Sequence, residues 1–182
     1  MTKITLAVTG SISAYKAADL VSLLTKEGYQ VTVLMTQAAM EFITPLTLQV
    51  LSKNRVHYDI MAEPDPSKVN HIEIAKNSDL FLIAPATANT IAKLANGLAD
   101  NMVTSTALAL DRSQKKIIAP AMNTKMYENY ITQANLKFLQ KLGYDLVAPR
   151  QALLACGDKG TGALAEPQDI LRKVKEVLNN EA

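Results

Sequence analysis

Leu80-Phe81-Leu82-Ile83-Ala84 is the most apolar strand-length run in the chain, and Pro85-Ala86-Thr87-Ala88-Asn89-Thr90 follows it directly. Apolar residues at every position suit a strand buried on both faces, as in the centre of a parallel sheet. The small and hydroxylated residues that follow suit a turn into a helix. Outward from this run the same alternation recurs. Ile4 to Val8 reads as a strand ending at Thr9-Gly10. Ser13 to Lys26 has helical periodicity (Ala14, Ala17, Ala18, Val21, Leu24) and is stopped by Gly28. Val31 to Met35 is a second strand.

Thr44-Pro45 reads as an N-cap followed by proline at the first helical position, leading into Leu46 to Leu51. Residues 53–68 are polar, contain Pro64 and Pro66, and read as a loop; His57 is expected there as a surface residue. His71 to Lys76 is a short helix, and Ile91 to Leu98 and Met102 to Leu110 are alanine-rich helices. Lys116 to Ala119 is a strand, and one long helix is expected from about Thr124 to Leu142, ended by Gly143. Asp145 to Val147 is a late strand, and Pro167 to Leu178 a closing amphipathic helix. Strands separated by helices predict one α/β domain over residues 1–182, a Rossmann-like (flavodoxin-like) parallel sheet with helices on both faces.

Composition narrows the function. The net charge is +2 with no basic cluster, aromatic residues are 5% and tryptophan is absent, so neither a duplex-binding face nor a stacking platform for single strands is expected. The apolar runs are strand-sized, so no membrane span is expected, and Lys3 to Val8 reads as a strand rather than a secretory leader. One cysteine rules out an intrachain disulfide and a cysteine-rich metal centre; a reducing cytoplasm is the expected compartment.

In such sheets ligands bind beyond the carboxyl ends of the strands. Three stations fall there. Thr9-Gly10-Ser11-Ile12-Ser13 offers a tight turn, hydroxyls and helix-start N–H groups, which suit a phosphate. It carries neither the dinucleotide nor the NTP glycine pattern, and a plain serine-capped turn explains it equally well. Ala84-Pro85-Ala86-Thr87-Ala88-Asn89-Thr90 has side chains small enough to admit a planar ring to the backbone, and Asn89 and Thr90 could bond its polar chain; an N-cap explains each of them singly. Two such stations at neighbouring strand ends favour a phosphorylated cofactor. Ala119-Pro120-Ala121-Met122-Asn123 is the third, where the Asn123 amide could hold a carboxylate or serve as a cap.

Two further side chains stand out. His71 sits at a helix start and suits proton transfer near neutral pH, although a lone histidine is more often structural. Cys156 lies in Ala155-Cys156-Gly157-Asp158-Lys159-Gly160-Thr161-Gly162, which holds three of the seven glycines. That segment is expected to be neither helix nor strand, but a mobile lid carrying a reactive thiol. His71, Asn123 and Cys156 do not have metal-ligand spacing.

These features, in this order, resemble the flavin-dependent cysteine decarboxylases, the family of 4'-phosphopantothenoylcysteine decarboxylase and the lantibiotic peptide decarboxylases. His71-Ile72-Glu73-Ile74 matches the family's histidine motif. Pro120-Ala121-Met122-Asn123, with Met126 after it, matches its P-A-M-N motif. Ala155-Cys156-Gly157-Asp158 with Gly160, Gly162 and Glu166-Pro167 is similar to the substrate clamp of the coenzyme A branch, here over residues 148–166. The clamp departs at Ala163, where the family often has arginine.

The resemblance implies FMN, contacted by Gly10, Ser11, Ile12, Thr36, Ala38, Thr87, Ala88, Asn89, Thr90 and Ala121. It implies decarboxylation of 4'-phosphopantothenoylcysteine to 4'-phosphopantetheine, by flavin oxidation to a thioaldehyde, loss of CO2 and reduction of the remaining enethiol. His71 would be the base and Cys156 the final proton donor. Asn123, Met126, Ala155, Gly157 and Asp158 would bind substrate. It further implies a homotrimer or homododecamer, with flavin at a subunit boundary. The ligase that makes the substrate is expected to be a separate protein. Alternatives are a flavin prenyltransferase, disfavoured by Asn123 and Cys156, and a non-catalytic FMN-binding regulatory subunit, disfavoured by the retention of all three residues.

Overall fold

The computed structural model describes residues 1–63, 65–155, 157 and 159–179. Strand β1 (Lys3–Val8) leads through a 3-10 turn (Ile12–Lys16) into α1 (Ala17–Lys26). Then come β2 (Gln30–Met35), α2 (Gln37–Met40), α3 (Pro45–Ser52) and β3 (Val56–His57). Next are α4 (Asn70–Lys76), β4 (Leu80–Ala86), α5 (Ala88–Ala95) and α6 (Met102–Leu108). After β5 (Lys115–Pro120) follow α7 (Thr124–Glu128), α8 (Tyr130–Lys141) and β6 (Tyr144–Leu146). A hairpin of β7 (Arg150–Leu153) and β8 (Lys159–Ala163) precedes α9 (Pro167–Asn179).

The main sheet has the order β3-β2-β1-β4-β5-β6 and is parallel at every pairing. The chain winds outward in one direction from β1 and then restarts at β4 on β1's other side, so the switch point lies between β1 and β4. β4 is buried along its whole length, as its unbroken apolar run requires. Its alternate side chains feed two cores. Leu80, Leu82 and Ala84 join the layer built with Leu20, Leu24, Leu48 and Val174 from α1, α3 and α9. Phe81, Ile83 and Ala86 join Ile91, Val103 and Leu136 from α5, α6 and α8.

Three expectations are corrected. The long helix of 124–142 is two helices, α7 and α8. Asn129 adopts extended backbone between them (φ −57°, ψ 132°), and its side chain accepts from Ile131 N at 2.9 Å. Gln133 Nε2 donates to Tyr127 O at 2.7 Å, serving the carbonyl that the break exposes. Asparagine competes well for such a cap and poorly for a helix interior. The glycine-dense segment is not all loop, because β7 and β8 pair antiparallel across it. His57 is half-buried in β3 rather than on the surface, and Asn70 Nδ2 lies 3.1 Å from its Nδ1. Burial, and secondarily the charge of Arg55, lower its pKa.

At the far edge of the sheet Tyr144 is 7% exposed, and burial pushes its phenol up to about 12. In the unfolded chain the phenol ionises near its ordinary value of about 10, whereas the folded protein holds the proton longer. The stabilisation is therefore whole below about pH 10 and fades as pH rises toward 12, a loss of about 3 kcal/mol. Urea unfolding at several alkaline pH values should show Tyr144→Phe losing stability less steeply than wild type. Parallel slopes would show that the phenol does not govern alkaline unfolding.

Candidate active site

The ends of β1, β2, β4 and β5 open on one cavity of about 870 Å³, at the upper end of the range for small-molecule sites. Gly10, Ser11 and Ile12 line it after β1, and Thr36 and Ala38 after β2. Thr87, Ala88, Asn89 and Thr90 line it after β4, and Ala121, Asn123 and Met126 after β5. Ala155 reaches it from the hairpin side. Residues far apart in sequence, expected to bind cofactor or substrate, thus share one cavity.

Thr9, unassigned from sequence, holds this end of the sheet together. It is 1% exposed. Its Oγ1 donates to Pro85 O at 2.7 Å and accepts from Thr87 N at 3.0 Å. That one hydroxyl ties the end of β1 to the loop after β4, across the switch point. Beside it, a Cβ on Gly10 would lie 2.5 Å from Ala38 Cβ, so only glycine lets the β1 and β2 loops meet.

Side-chain caps stand at Ser11, Thr36, Thr87 and Asn123. Ser11 Oγ accepts from Ser13 N, Thr36 Oγ1 from Ala39 N, and Thr87 Oγ1 from Thr90 N. Asn123 Oδ1 accepts from Lys125 N at 2.9 Å. A cap fixes its own rotamer, so these side chains are preorganised where they line the cavity.

The hairpin is docked at its root. Met122 N donates to Gly162 O at 2.9 Å. A Cβ on Gly162 would lie 2.2 Å from Met122 O, and one on Gly160 2.4 Å from Thr124 Oγ1. These two glycines permit backbone contact with the 120–124 segment, not the hinging expected from sequence. Ala163 stands opposite Arg150 in the hairpin register. Arg150 Nε lies 2.9 Å from Glu166 Oε1, and Lys16 Nζ 3.1 Å from Glu166 Oε2. The strand partner thus supplies a cation beside the alanine.

Other candidates stand apart. His71 does not line the cavity; it is half-buried, and its buried Nδ1 has no hydrogen-bond partner among the described residues. Gly157 does not line the cavity and has φ +88°, a left-handed conformation suited to glycine. Cys156 and Asp158 lie outside the described residues. Sequence reading also missed Lys93 and Asp100, an ion pair on the cavity wall. The Lys93 hydrogen bond holds the Asp100 carboxyl below its ordinary range.

The family model described as Flavoprotein matches residues 1–179. The chain belongs to the Flavoprotein family. This flavoprotein is 61% identical over 176 residues to a probable phosphopantothenoylcysteine decarboxylase of Streptococcus mutans, covering 97% of this chain and 98% of that one. It is 45% identical over 167 residues to the coenzyme A biosynthesis bifunctional protein CoaBC of Bacillus subtilis, covering 92% of this chain but 41% of that one. Among solved structures, a cysteine-to-serine mutant of PPC decarboxylase complexed with pantothenoylaminoethenethiol superposes with a TM-score of 0.90 at 34% identity, over 98% and 99% of the two chains. The FMN binding protein AtHal3 does so with a TM-score of 0.87 at 35% identity, over 100% and 98%. Among the described residues no helix is long and apolar enough to cross a membrane.

Two substitutions check the geometry. Thr9→Val keeps the shape but strands Pro85 O and Thr87 N, and should cost about 2 kcal/mol or more, whereas Thr9→Ser should recover most of it by calorimetry. Gly162→Ala forces the hairpin off Met122 and should lower the urea midpoint by the equivalent of at least about 1 kcal/mol. An alanine tolerated without change would restore the hinge reading.

Proposed function

We propose that this flavoprotein is an FMN-dependent decarboxylase that converts 4'-phosphopantothenoylcysteine to 4'-phosphopantetheine in cytoplasmic coenzyme A biosynthesis. The observation that carries this reading is the single cavity joining the four strand-end loops to Asn123, Met126 and the root of the clamp hairpin. The name of the S. mutans relative, its extent and the bound enethiol of the solved neighbour support it.

The residues present fit the cofactor. Ala38, Ala88 and Ala121 leave room for a flat ring against the backbone, and Ser11, Thr36, Thr87, Asn89 and Thr90 offer hydroxyls and an amide to a polyhydroxyl chain and its phosphate. Bound there, FMN would supply the oxidation and later re-reduction of the carbon that bears the substrate's thiol.

The chain's own groups then orient the substrate and move protons. A carboxylate needs donors, and the capping bond through Oδ1 sets the plane of the Asn123 amide whose Nδ2 carries them. Met126 adds an apolar wall, and Ala155, Gly157 and Asp158 complete the clamp. His71 is the base for the oxidative half. Once CO2 has left, Cys156 donates the proton taken up by the carbon that bore the carboxylate; with FMN bound, the sulfur-bearing carbon would then be reduced, leaving a thiolate that solvent protonates.

His71 does not line its own chain's cavity. In the homotrimer, or dodecamer of trimers, that the family resemblance implies, His71 would serve a neighbour's cavity. Purified protein should be yellow, and it should release one CO2 per 4'-phosphopantetheine formed. Cys156→Ser should accumulate the enethiol by mass spectrometry; full turnover in that variant would remove Cys156 from the role. Inactive His71→Asn and Asn123→Asp proteins, mixed and reassembled, should regain a fraction of wild-type activity. No recovery would place His71 at its own chain's flavin.

A further inference from the structure

We propose that Arg150 and Lys16 form the subsite for the substrate's phosphate. This rests on the functional reading above and names the residues that select its phosphorylated end. Among the described residues the cavity is lined by three cations, Lys16, Lys93 and Arg150, and one carboxylate, Asp100. Lys93 and Asp100 neutralise each other. Lys16 and Arg150 instead share the one carboxylate of Glu166, at 3.1 and 2.9 Å, leaving one positive charge in excess at the rim.

The geometry of Arg150 suits an oxyanion. Its contacts among the described residues run through Nε, to Glu166 Oε1 and to Leu164 O at 3.1 Å. That leaves the terminal nitrogens of the guanidinium fork as donors, the arrangement that binds phosphate in a bidentate way. Lys16 is 15% exposed and adds a point charge from the turn before α1.

Length separates the two phosphates that this site could serve, the cofactor's and the substrate's. From phosphorus to the cysteine Cα the substrate has about eleven bonds, roughly 13 Å when extended. From Arg150, β7 runs toward Ala155 on the cavity wall, five residues on and at most roughly 17 Å away. A substrate laid along β7 therefore reaches Ala155 with its reacting end while its phosphate meets Arg150. The cofactor's phosphate has its own hydroxyl set at Ser11, Thr87 and Thr90.

The test is calorimetric titration of flavin-loaded protein with 4'-phosphopantetheine and with pantetheine. Wild type should bind the phosphorylated ligand at least about tenfold more tightly. Arg150→Gln and Lys16→Met should each cut that preference severalfold, and Arg150→Lys should retain part of it. Glu166→Gln releases both cations and should keep or raise the preference; an equal loss there would mark the cluster as structural and overturn the proposal. So would a wild type that binds both ligands alike. Loss of flavin absorbance in Arg150→Gln with the ligand preference intact would assign the cations to the cofactor's phosphate instead. Failure of wild type to decarboxylate 4'-phosphopantothenoylcysteine is read in a separate assay and would refute the parent reading, not the anion site alone.

Discussion

One buried hydroxyl sets the geometry of the cavity. Parallel strands must diverge where the winding direction reverses, and the divergence between β1 and β4 makes the crevice. A crevice lined by loops would be soft without a cross-tie. Thr9 provides it by donating to Pro85 O and accepting from Thr87 N. Both partners are backbone atoms at or just past the end of β4, where the β4–β5 register shifts. Ligand-facing loops on both sides of the switch point thus move as one unit with the sheet.

The same logic extends outward through close backbone contact. Gly10 seats the first loop on Ala38 of the second. Ala121 N donates to Ala86 O at 3.0 Å, and Met122 N to Gly162 O at 2.9 Å. A chain of contacts therefore runs from β2 through β1, β4 and β5 to the clamp hairpin. The root of the hairpin is thereby tied to the sheet.

The sequence made the architecture legible because β4 is apolar at every position and its flanking segments keep helical period. The strand-end stations were legible for the same reason, since topology sends each to one edge. Contacts between distant segments were not. Thr9 has the same local signature as any residue before a glycine turn, and nothing near it in sequence reveals Pro85 as its partner. Glycines 160 and 162 read as hinges because local sequence cannot distinguish freedom of φ from lack of room for a Cβ. Asn129 carried a cap signal inside an otherwise continuous helical pattern, and the pattern hid it. Ala163 looked like a missing charge until pairing placed Arg150 opposite it.

His71 is the remaining constraint, and topology explains its position. Helices between parallel strands run antiparallel to them, so α4 begins at the edge of the sheet where the cavity opens. Yet α4 packs beside α6 in the layer that covers one face, and His71 stays outside its own cavity. A histidine at that edge, half-buried and with a buried Nδ1 that has no partner among the described residues, is costly for a single chain to keep. A second copy facing that edge would give the nitrogen a partner and give a cavity its base. If the chain works as proposed, each subunit would hold cofactor and carboxylate with its own loops, and assembly would bring in the group that moves the first proton.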